Sequence, residues 1–189
     1  MQKKLNSKNK IQLNPTSPWV KDNLVKVKKR NKVLLDLASG SGRHSQFAKL
    51  RGYKVISADL KLENLNLTKK IKNNIPINID FETKYNWPFK DNCLDAIIIT
   101  NYLHRDLFKK IFKTLKKNGV LIYETFSIEN KEFGRPNNPD FLLQPQELLN
   151  EARNHKMKII NYEELIISLP KIKAIQRLYA KRTINPKQT

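Results

Sequence analysis

Cysteine is almost absent from this sequence, because Cys93 is the one thiol among 189 residues. A single thiol forms no disulfide within the chain and rules out a metal site built from several cysteines. Long apolar runs are also absent: no stretch approaches the roughly 18 apolar residues of a membrane-spanning helix, and no apolar segment follows the lysine-rich start as in a secretion signal. We therefore expect a reducing, cytoplasmic setting without membrane attachment.

Acidic residues are scarce relative to basic ones. Asp and Glu number 17 against 37 Lys and Arg, which gives a formal net charge of +20. Residues 1–32 hold ten of the basic side chains and a single acid, Asp22. Such a basic arm suits the phosphates of a nucleic acid, but an excess of lysine, asparagine and isoleucine is also typical of AT-rich coding. No aromatic residues alternate with the basic ones, and no RNA-binding module is recognisable.

Glycine is sparse too, and two of the five glycines stand close together. The apolar run Val33–Leu37 predicts a buried strand that carries one acid, Asp36. Residues 38–42 follow as a small-residue turn, whose two glycines can take positive φ and let a ligand approach the backbone. Residues 43–51 then have helical spacing. A strand, a glycine turn and a helix begin a nucleotide-binding βαβ unit.

The second predicted strand, residues 54–58, leads into Asp59, which lies 59 − 42 = 17 residues after Gly42. A carboxylate at this position faces the glycine loop and can accept hydrogen bonds from both hydroxyls of a ribose. Dinucleotide-binding loops carry a third glycine where this chain has Ser45. The acid at the loop entrance, Asp36, suits a cationic or amino-acid-bearing cofactor better than a pyrophosphate.

The segment Asp36-Leu-Ala38-Ser-Gly40-Ser-Gly42 resembles the first motif of the class I S-adenosylmethionine-dependent methyltransferases, (D/E)-x-(G/A)-x-G-x-G. Ala38 takes the place of the first glycine. The resemblance implies an α/β, Rossmann-like fold with a seven-stranded, mostly parallel sheet, helices on both faces and an antiparallel last strand. It also implies S-adenosyl-L-methionine as cofactor and S-adenosyl-L-homocysteine as product. The cofactor-binding residues that it implies are Asp36, Ala38, Ser39, Gly40, Ser41, Gly42, Asp59, Leu60, Asp80, Phe81, Asn101 and Tyr102.

Two further strands end in polar segments. Residues 75–79 predict a third strand that ends at Asp80-Phe81, where the resembling family has an acid that accepts from the adenine amino group and an apolar residue that packs on the ring. A simple turn acid is the alternative for Asp80. The apolar run Leu94–Thr100 predicts a central strand of a parallel sheet. It leads into Asn101-Tyr102-Leu103-His104-Arg105, at the sheet edge where ligands bind.

The segments after this strand extend the resemblance. The polar segment itself, a predicted helix over 106–117, a predicted strand over 120–126 and Phe133-Gly-Arg-Pro136 are similar to small bacterial methyltransferases described as tellurite-resistance-like. The resemblance covers most of residues 17–150 and specifies fold and cofactor, not substrate. The remaining predicted elements are helices over 60–73 and 145–155 and strands over 157–167 and 171–181.

The length fits one domain. We expect residues 1–13 to be a mobile basic tail and residues 14–189 a single methyltransferase domain. In methyltransferases of this shape an N-terminal segment often covers the cofactor pocket, so residues 14–30 are expected to form a lid with Trp19 on the substrate side. The alternative is that Trp19 docks an N-terminal helix on the sheet.

His44, His104 and Arg135 are the other expected substrate-side residues. His104 is the best candidate for a general base, because an imidazole with an ordinary pKa near 6.5 accepts a proton at neutral pH. Tyr102 is expected to shape the pocket around the methyl group. Arg135 is available for an anionic group, unless its proline-containing loop is only a surface connection. The three histidines share no metal-ligand spacing, so no metal is expected.

These observations predict methyl transfer to a small molecule. The sulfonium of the cofactor is already activated, so the protein mainly positions the acceptor and excludes water. One alternative is methylation of tRNA or rRNA through the same cofactor site. Another is a non-catalytic module that binds the cofactor or its demethylated product. An NAD-linked oxidoreductase is disfavoured by Ser45 and by the lack of a recognisable hydride-transfer site.

Overall fold

The computed structural model describes residues 14–24, 32–83 and 87–183. The expected basic tail, residues 1–13, and residues 25–30 of the expected lid segment lie outside the described residues. The described residues form a seven-stranded, mostly parallel sheet with helices on both faces, which confirms the predicted fold class.

Six strands of this sheet run in one direction and the last strand runs against them. The strands are β1 (Val33–Leu37), β2 (Lys54–Asp59), β3 (Asn74–Asn78), β4 (Leu94–Thr100), β5 (Leu115–Phe126), β6 (Met157–Ile167) and β7 (Lys173–Arg182). Their order in the sheet is β3-β2-β1-β4-β5-β7-β6. β1 to β5 pair in parallel, whereas β7 runs antiparallel to β5 and β6, as predicted for the last strand.

The helices cover the two faces of the sheet with separate apolar clusters. They are α1 (Pro18–Leu24), α2 (Arg43–Leu50), α3 (Leu62–Thr68), α4 (Phe108–Thr114) and α5 (Glu147–Asn154). α1 and α2 contribute to one cluster, with Trp19 and Ala48 among its buried members. α4 and α5 contribute to the other, with Phe112 and Leu148. Because both faces are covered, the central strands are buried and near-continuously apolar.

One predicted boundary is wrong at the start of β5. The helix predicted over residues 106–117 ends at Thr114, and β5 begins at Leu115 rather than at residue 120. Leu115 pairs with Leu94 of β4, and the Arg182 guanidinium donates to the carbonyl of Leu115. Pairing with distant residues therefore outweighs the local helical spacing at this point.

The helix predicted over residues 60–73 is also shorter than expected. α3 spans Leu62–Thr68, and the Thr68 hydroxyl donates to the carbonyl of Leu65 at 2.9 Å. Asn73, with a φ of 61°, then turns the chain into β3. The left-handed conformation, which asparagine tolerates, ends any helical continuation there.

β1, β2 and β4 are neighbours that end at the same edge of the sheet. The register pairs Leu37 of β1 with Ala58 of β2 and with Ile99 of β4. The glycine loop, Asp59 and the segment after Thr100 therefore lie side by side, where α/β proteins bind ligands. None of the helices in the described ranges combines the length and the apolar content needed to span a membrane.

Candidate functional site

The glycine loop between β1 and α2 has an open backbone at Gly40. Gly40 has a φ of 54°, and among the described residues no heavy atom outside Gly40 and its two chain neighbours lies within 4 Å of the position that a Cβ would occupy. The Oγ of Ser39 is buried and has no hydrogen-bond partner in the described part of the chain. Ala38 has a φ of 53° and Ser41 is half-buried. An open backbone beside an unpartnered hydroxyl is what a loop that receives a polar ligand requires.

Asp59, at the end of β2, is hydrogen-bonded to the glycine loop. Its Oδ2 accepts the Gly40 N–H at 2.8 Å. Its Oδ1 accepts the Lys61 N–H at 2.9 Å and the Asn64 amide at 3.0 Å. A carboxylate has about four acceptor positions, so roughly one remains, on Oδ2. Asp59 can therefore accept one ribose hydroxyl directly and a second one if the Asn64 amide moves away.

Leu60 provides apolar surface next to this carboxylate. Its side chain is 61% exposed. The Asn78 amide donates to the carbonyls of Asp59 at 3.2 Å and Leu60 at 2.7 Å, which fixes the backbone here. An exposed leucine on a fixed backbone is a surface that a flat ring of a ligand can cover.

Asp36 is at the correct position in the sequence but is withdrawn from the ligand side of the loop. Its side chain is 1% exposed, and the Ser45 Oγ lies 2.5 Å from its Oδ2. Burial raises the pKa of Asp36 to about 7, against the opposing effects of the hydrogen bonds from Ser45 and of the Arg43 charge. Asp36 thus supports the loop from below.

Asp80 and Phe81 follow β3 at the neighbouring position of the edge. The Oδ1 of Asp80 accepts the Glu82 N–H at 2.9 Å, which closes a turn. The Phe81 ring is 6% exposed and lies 5.6 Å from the ring of Trp87. Most of the Phe81 ring surface is therefore used in the core, and Asp80 is half-buried beside it.

A cleft of about 300 Å³ begins where β4 ends. Asn101 has a φ of 54°, and its N–H donates to the carbonyl of Glu124 at 2.9 Å, which turns the chain across the end of the sheet. The carbonyl of Tyr102 accepts the hydroxyl of Tyr123 at 2.8 Å. Burial raises the pKa of the Tyr102 phenol, so it stays protonated. The lining residues are Glu82, Asn101, Tyr102, Leu103, Thr125, Phe126, Pro136 and Phe141.

A second cavity of about 210 Å³ shares Glu82, Leu103 and Phe141 with the cleft and contains His104. Arg105, beside His104, makes two hydrogen bonds to Glu147, at 2.6 and 2.9 Å. It also donates to the carbonyls of Asp140 and Leu142. Arg105 therefore fixes the loop around residues 140–142, which covers these cavities. The sequence did not reveal this role, because Glu147 lies 42 residues away.

The structure corrects the substrate-side assignment of Trp19. Its side chain is 5% exposed, lies in the apolar cluster of α1 and α2, and donates to the carbonyl of Leu178 at 3.5 Å. It is not among the residues that line the cleft. The described part of the expected lid, α1, packs on a face of the sheet, so Trp19 docks this helix.

The structure also corrects the substrate-side assignment of His44, which is 1% exposed. Its Nε2 accepts the Ser17 N–H at 3.3 Å, and its Nδ1 lies 3.4 Å from the Thr100 Oγ1. Burial and the neighbouring Arg43 charge lower the pKa of His44 to about 3. A neutral, enclosed imidazole cannot reach a substrate and instead joins the N-terminal segment to α2 and β4.

Arg135 lies in the exposed part of the loop after β5. Its neighbour Pro136 lines the cleft, and the carbonyl of Pro136 accepts the Asn130 amide at 2.9 Å. Arg135 itself is not among the lining residues. Its expected contact with an anionic group thus remains a prediction.

Residues 35–123 match the family model of a methyltransferase domain. No match is found among the curated proteins. Solved structures match with very low sequence identity and therefore show the fold alone. TehB from Haemophilus influenzae is 19% identical with a TM-score of 0.72; the match covers 87% of this chain and 61% of TehB.

Two further solved structures share this fold. The [4+2]-cyclase SpnF is 13% identical with a TM-score of 0.69, over 88% of this chain and 79% of that one. The other is a geranyl diphosphate C-methyltransferase from Streptomyces coelicolor A3(2), solved with geranyl diphosphate and S-adenosyl-L-homocysteine. It is 14% identical with a TM-score of 0.65, and the match covers 87% of this chain and 78% of that one.

Proposed function

We propose that this chain, which has the class I fold, is an S-adenosylmethionine-dependent methyltransferase and that it methylates a small molecule bound in the cleft beyond β4. The observation that carries the proposal is the hydrogen bond of 2.8 Å from the Gly40 N–H to Asp59. It brings the glycine loop and the acid of β2 together at the edge where the cleft opens. A cofactor held there would present its reactive end towards the acceptor.

The residues present fit S-adenosylmethionine. The open backbone at Gly40 and the unpartnered Oγ of Ser39 accommodate a polar ligand. The remaining acceptor position of Asp59 suits a ribose hydroxyl, and Leu60 supplies apolar surface for the adenine. When bound, the cofactor supplies a methyl group on a sulfonium that is already activated for in-line displacement.

The chain itself then has to bind the acceptor, orient it and exclude water. Phe126, Phe141 and Leu103 give the cleft apolar walls, and the loop fixed by Arg105 covers it. His104 lies in the adjoining cavity, where its imidazole can take the proton of a hydroxyl or ammonium acceptor. Tyr102 keeps its phenol proton and can donate a hydrogen bond.

The size of the cleft supports a small acceptor. A volume of about 300 Å³ lies at the lower end of the range for small-molecule sites. The similar structure from Streptomyces coelicolor A3(2) holds a small molecule, geranyl diphosphate. A small acceptor is therefore consistent with both the cleft and this relative.

The first experiment is a calorimetric titration of the purified chain with S-adenosylmethionine, S-adenosylhomocysteine and NAD. We expect binding of the first two and none of the third. Binding of NAD alone would overturn the cofactor assignment. A screen of small nucleophilic acceptors follows, with S-adenosylhomocysteine release as readout. Turnover with any acceptor would eliminate a non-catalytic binding module.

One observation favours a second candidate, methylation of RNA through the same cofactor site. Between residues 43 and 72 the chain has eight Lys and Arg against two acids, Asp59 and Glu63. A groove of about 360 Å³ between α2 and α3 is lined by Lys49, Lys70 and Lys72. Steep loss of RNA binding with salt, together with methylation of RNA, would support this candidate. Absence of RNA binding at physiological salt would exclude it.

A further inference from the structure

A buried row of polar side chains runs beneath the glycine loop from β1 to β3. The Ser45 Oγ lies 2.5 Å from the Asp36 Oδ2 and 2.6 Å from the Ser57 Oγ. The Ser57 Oγ lies 2.8 Å from the Asn74 Oδ1. Ser45 and Ser57 are 0% exposed and Asp36 is 1% exposed. Three oxygen–oxygen contacts of hydrogen-bond length thus connect four side chains, three of them away from water.

Each of these three contacts needs one hydrogen, and the two serines supply only two. A hydroxyl carries one proton and an ionised carboxylate carries none. If Asp36 is ionised, Ser45 donates to Asp36, Ser57 donates to Asn74, and the contact of 2.6 Å between the serines has no hydrogen. Two buried oxygens at that distance without a shared proton would repel each other.

The orientation of Asn74 excludes a simple rearrangement. Its Nδ2 donates to the carbonyl of Thr68 at 3.1 Å, which leaves Oδ1 as the atom that faces Ser57. Turning the amide over would supply the missing hydrogen to Ser57, but it would place Oδ1 against the carbonyl of Thr68. Two acceptors would then face each other at hydrogen-bond distance.

We propose that Asp36 is a protonated carboxylic acid in the folded protein and that its proton is the first donor of this row. Asp36 then donates to Ser45, Ser45 to Ser57, and Ser57 to Asn74, so every contact has its hydrogen. Asp36 is in this view a positioning residue: it holds α2 against β2 and β3 beneath the loop. It is not a carboxylate counter-ion for a cationic cofactor.

The surroundings of Asp36 agree with a neutral acid. At its register positions stand Ser57 of β2 and Ile98 of β4, which carry no charge. α2 contributes the cation Arg43 and the enclosed His44, and Asp59 at the end of β2 contributes a negative charge. Burial dominates over Arg43 and raises the pKa of Asp36 to about 7.

The test compares the pH profiles of unfolding for the wild type and Asp36→Asn. The side chain of the variant can still donate to Ser45 but cannot ionise. A carboxyl whose pKa is higher in the folded than in the unfolded state stabilises most below about pH 4, and this contribution is lost as the pH rises towards about 7. The wild type should therefore lose stability relative to Asp36→Asn over this interval. Parallel profiles would overturn the proposal.

Infrared spectroscopy of the wild type provides a second measurement that does not depend on a folded variant. At about pH 6 ordinary carboxyls are ionised, so a C=O band of a protonated acid that disappears on raising the pH reports Asp36. A wild type without such a band would show an ionised Asp36 and a turned Asn74 amide. Ser45→Ala, which breaks the row, should shift the band.

Cofactor affinity distinguishes the positioning role from a counter-ion. We expect Asp36→Asn to bind S-adenosylhomocysteine within about threefold of the wild type, because the variant preserves the row of hydrogen bonds. A loss of more than about tenfold in the folded variant would identify Asp36 as a charged partner of the ligand. The unfolding profiles test the protonation of Asp36 independently of which ligand the loop binds.

Discussion

A Cβ placed on Gly42 would lie 2.7 Å from the Cγ2 of Thr68 in α3. Gly42 also has a φ of 85°, whereas Gly40, two residues earlier, has free space around the same position. The two glycines of one loop therefore have different tasks. Gly42 lets α2 and α3 pack closely, and Gly40 leaves room for a ligand.

This difference predicts separate effects of two equivalent substitutions. Gly42→Ala should lower the free energy of unfolding by about 2–4 kcal/mol, because backbone strain adds to a steric overlap. Gly40→Ala should lower it by only about 1–2 kcal/mol but weaken S-adenosylhomocysteine binding at least as much as Gly42→Ala does. Urea unfolding and calorimetry measure the two effects. Equal losses of stability would contradict the assigned roles.

Asp59→Ala should weaken S-adenosylhomocysteine binding by about 1–3 kcal/mol, because the ribose loses its acceptor and the loop loses the bond to Gly40. Asn64→Ala should not weaken it, since the substitution frees an acceptor position on the Asp59 Oδ1. Asp91→Ala removes an exposed acid away from this edge and serves as the charge control. Unchanged affinity in a folded Asp59→Ala would refute the assignment.

His44 should make the protein less stable in acid. Its pKa is about 3 in the folded state because of burial, below the ordinary value of 6.5, so unfolding takes up a proton between these values. The contribution of neutral His44 is complete above pH 6.5 and falls by up to about 1.4 kcal/mol per pH unit below it. His44→Gln should flatten this slope. Asp36 contributes a pH dependence of stability with the opposite sign. The effect of His44→Gln is therefore best measured in the Asp36→Asn background.

Arg105→Gln should release the loop over the cleft. The variant loses the paired hydrogen bonds to Glu147 and the bonds to the carbonyls of Asp140 and Leu142. The ion pair is partly exposed, so the loss of stability should be only about 1 kcal/mol. Amide hydrogen exchange in residues 139–143 should accelerate, and the KM of the acceptor should rise while cofactor affinity stays constant. Unaltered amide exchange would show that Arg105 does not fix this loop.

His104→Gln tests the general base. Loss of general-base catalysis typically costs about 10²–10⁴ in kcat/KM, and cofactor affinity should not change. His155→Gln is the matched control, because this histidine packs on Phe112 at the end of α5, away from the cleft. Equal activity of the two variants would mean that the acceptor needs no base or uses another one.

The part of the site that could be predicted from the sequence is the part with local signals. Gly40, Gly42 and Asp59 follow strands at fixed distances, and the end of a parallel strand places a residue at the ligand edge whatever the tertiary contacts are. The same logic located Asn101 and Tyr102. Their mutual arrangement in the structure follows directly from the order of the strands.

Residues that depend on distant partners could not be assigned this way. Arg105 has its role only because Glu147 lies opposite, and Trp19 is in the core only because α1 packs on the sheet. Ser45 shows the limit most clearly. In the sequence, Ser45 stands where dinucleotide-binding loops have their third glycine. In the structure, its hydroxyl lies within hydrogen-bond distance of both Asp36 and Ser57.

β7 lies between β5 and β6 in the sheet, so β5 obtains its second neighbouring strand only from a later segment of the chain. Until residues 173–182 have left the ribosome, one side of β5 has unpaired backbone groups, and Glu124 lacks the Arg177 guanidinium, which is 2.7 Å away in the finished protein. Nascent chains and fragments that stop earlier therefore expose an unpaired strand edge that can pair with other chains. A minimal cofactor-binding fragment cut after the matched region at residue 123 should aggregate rather than bind.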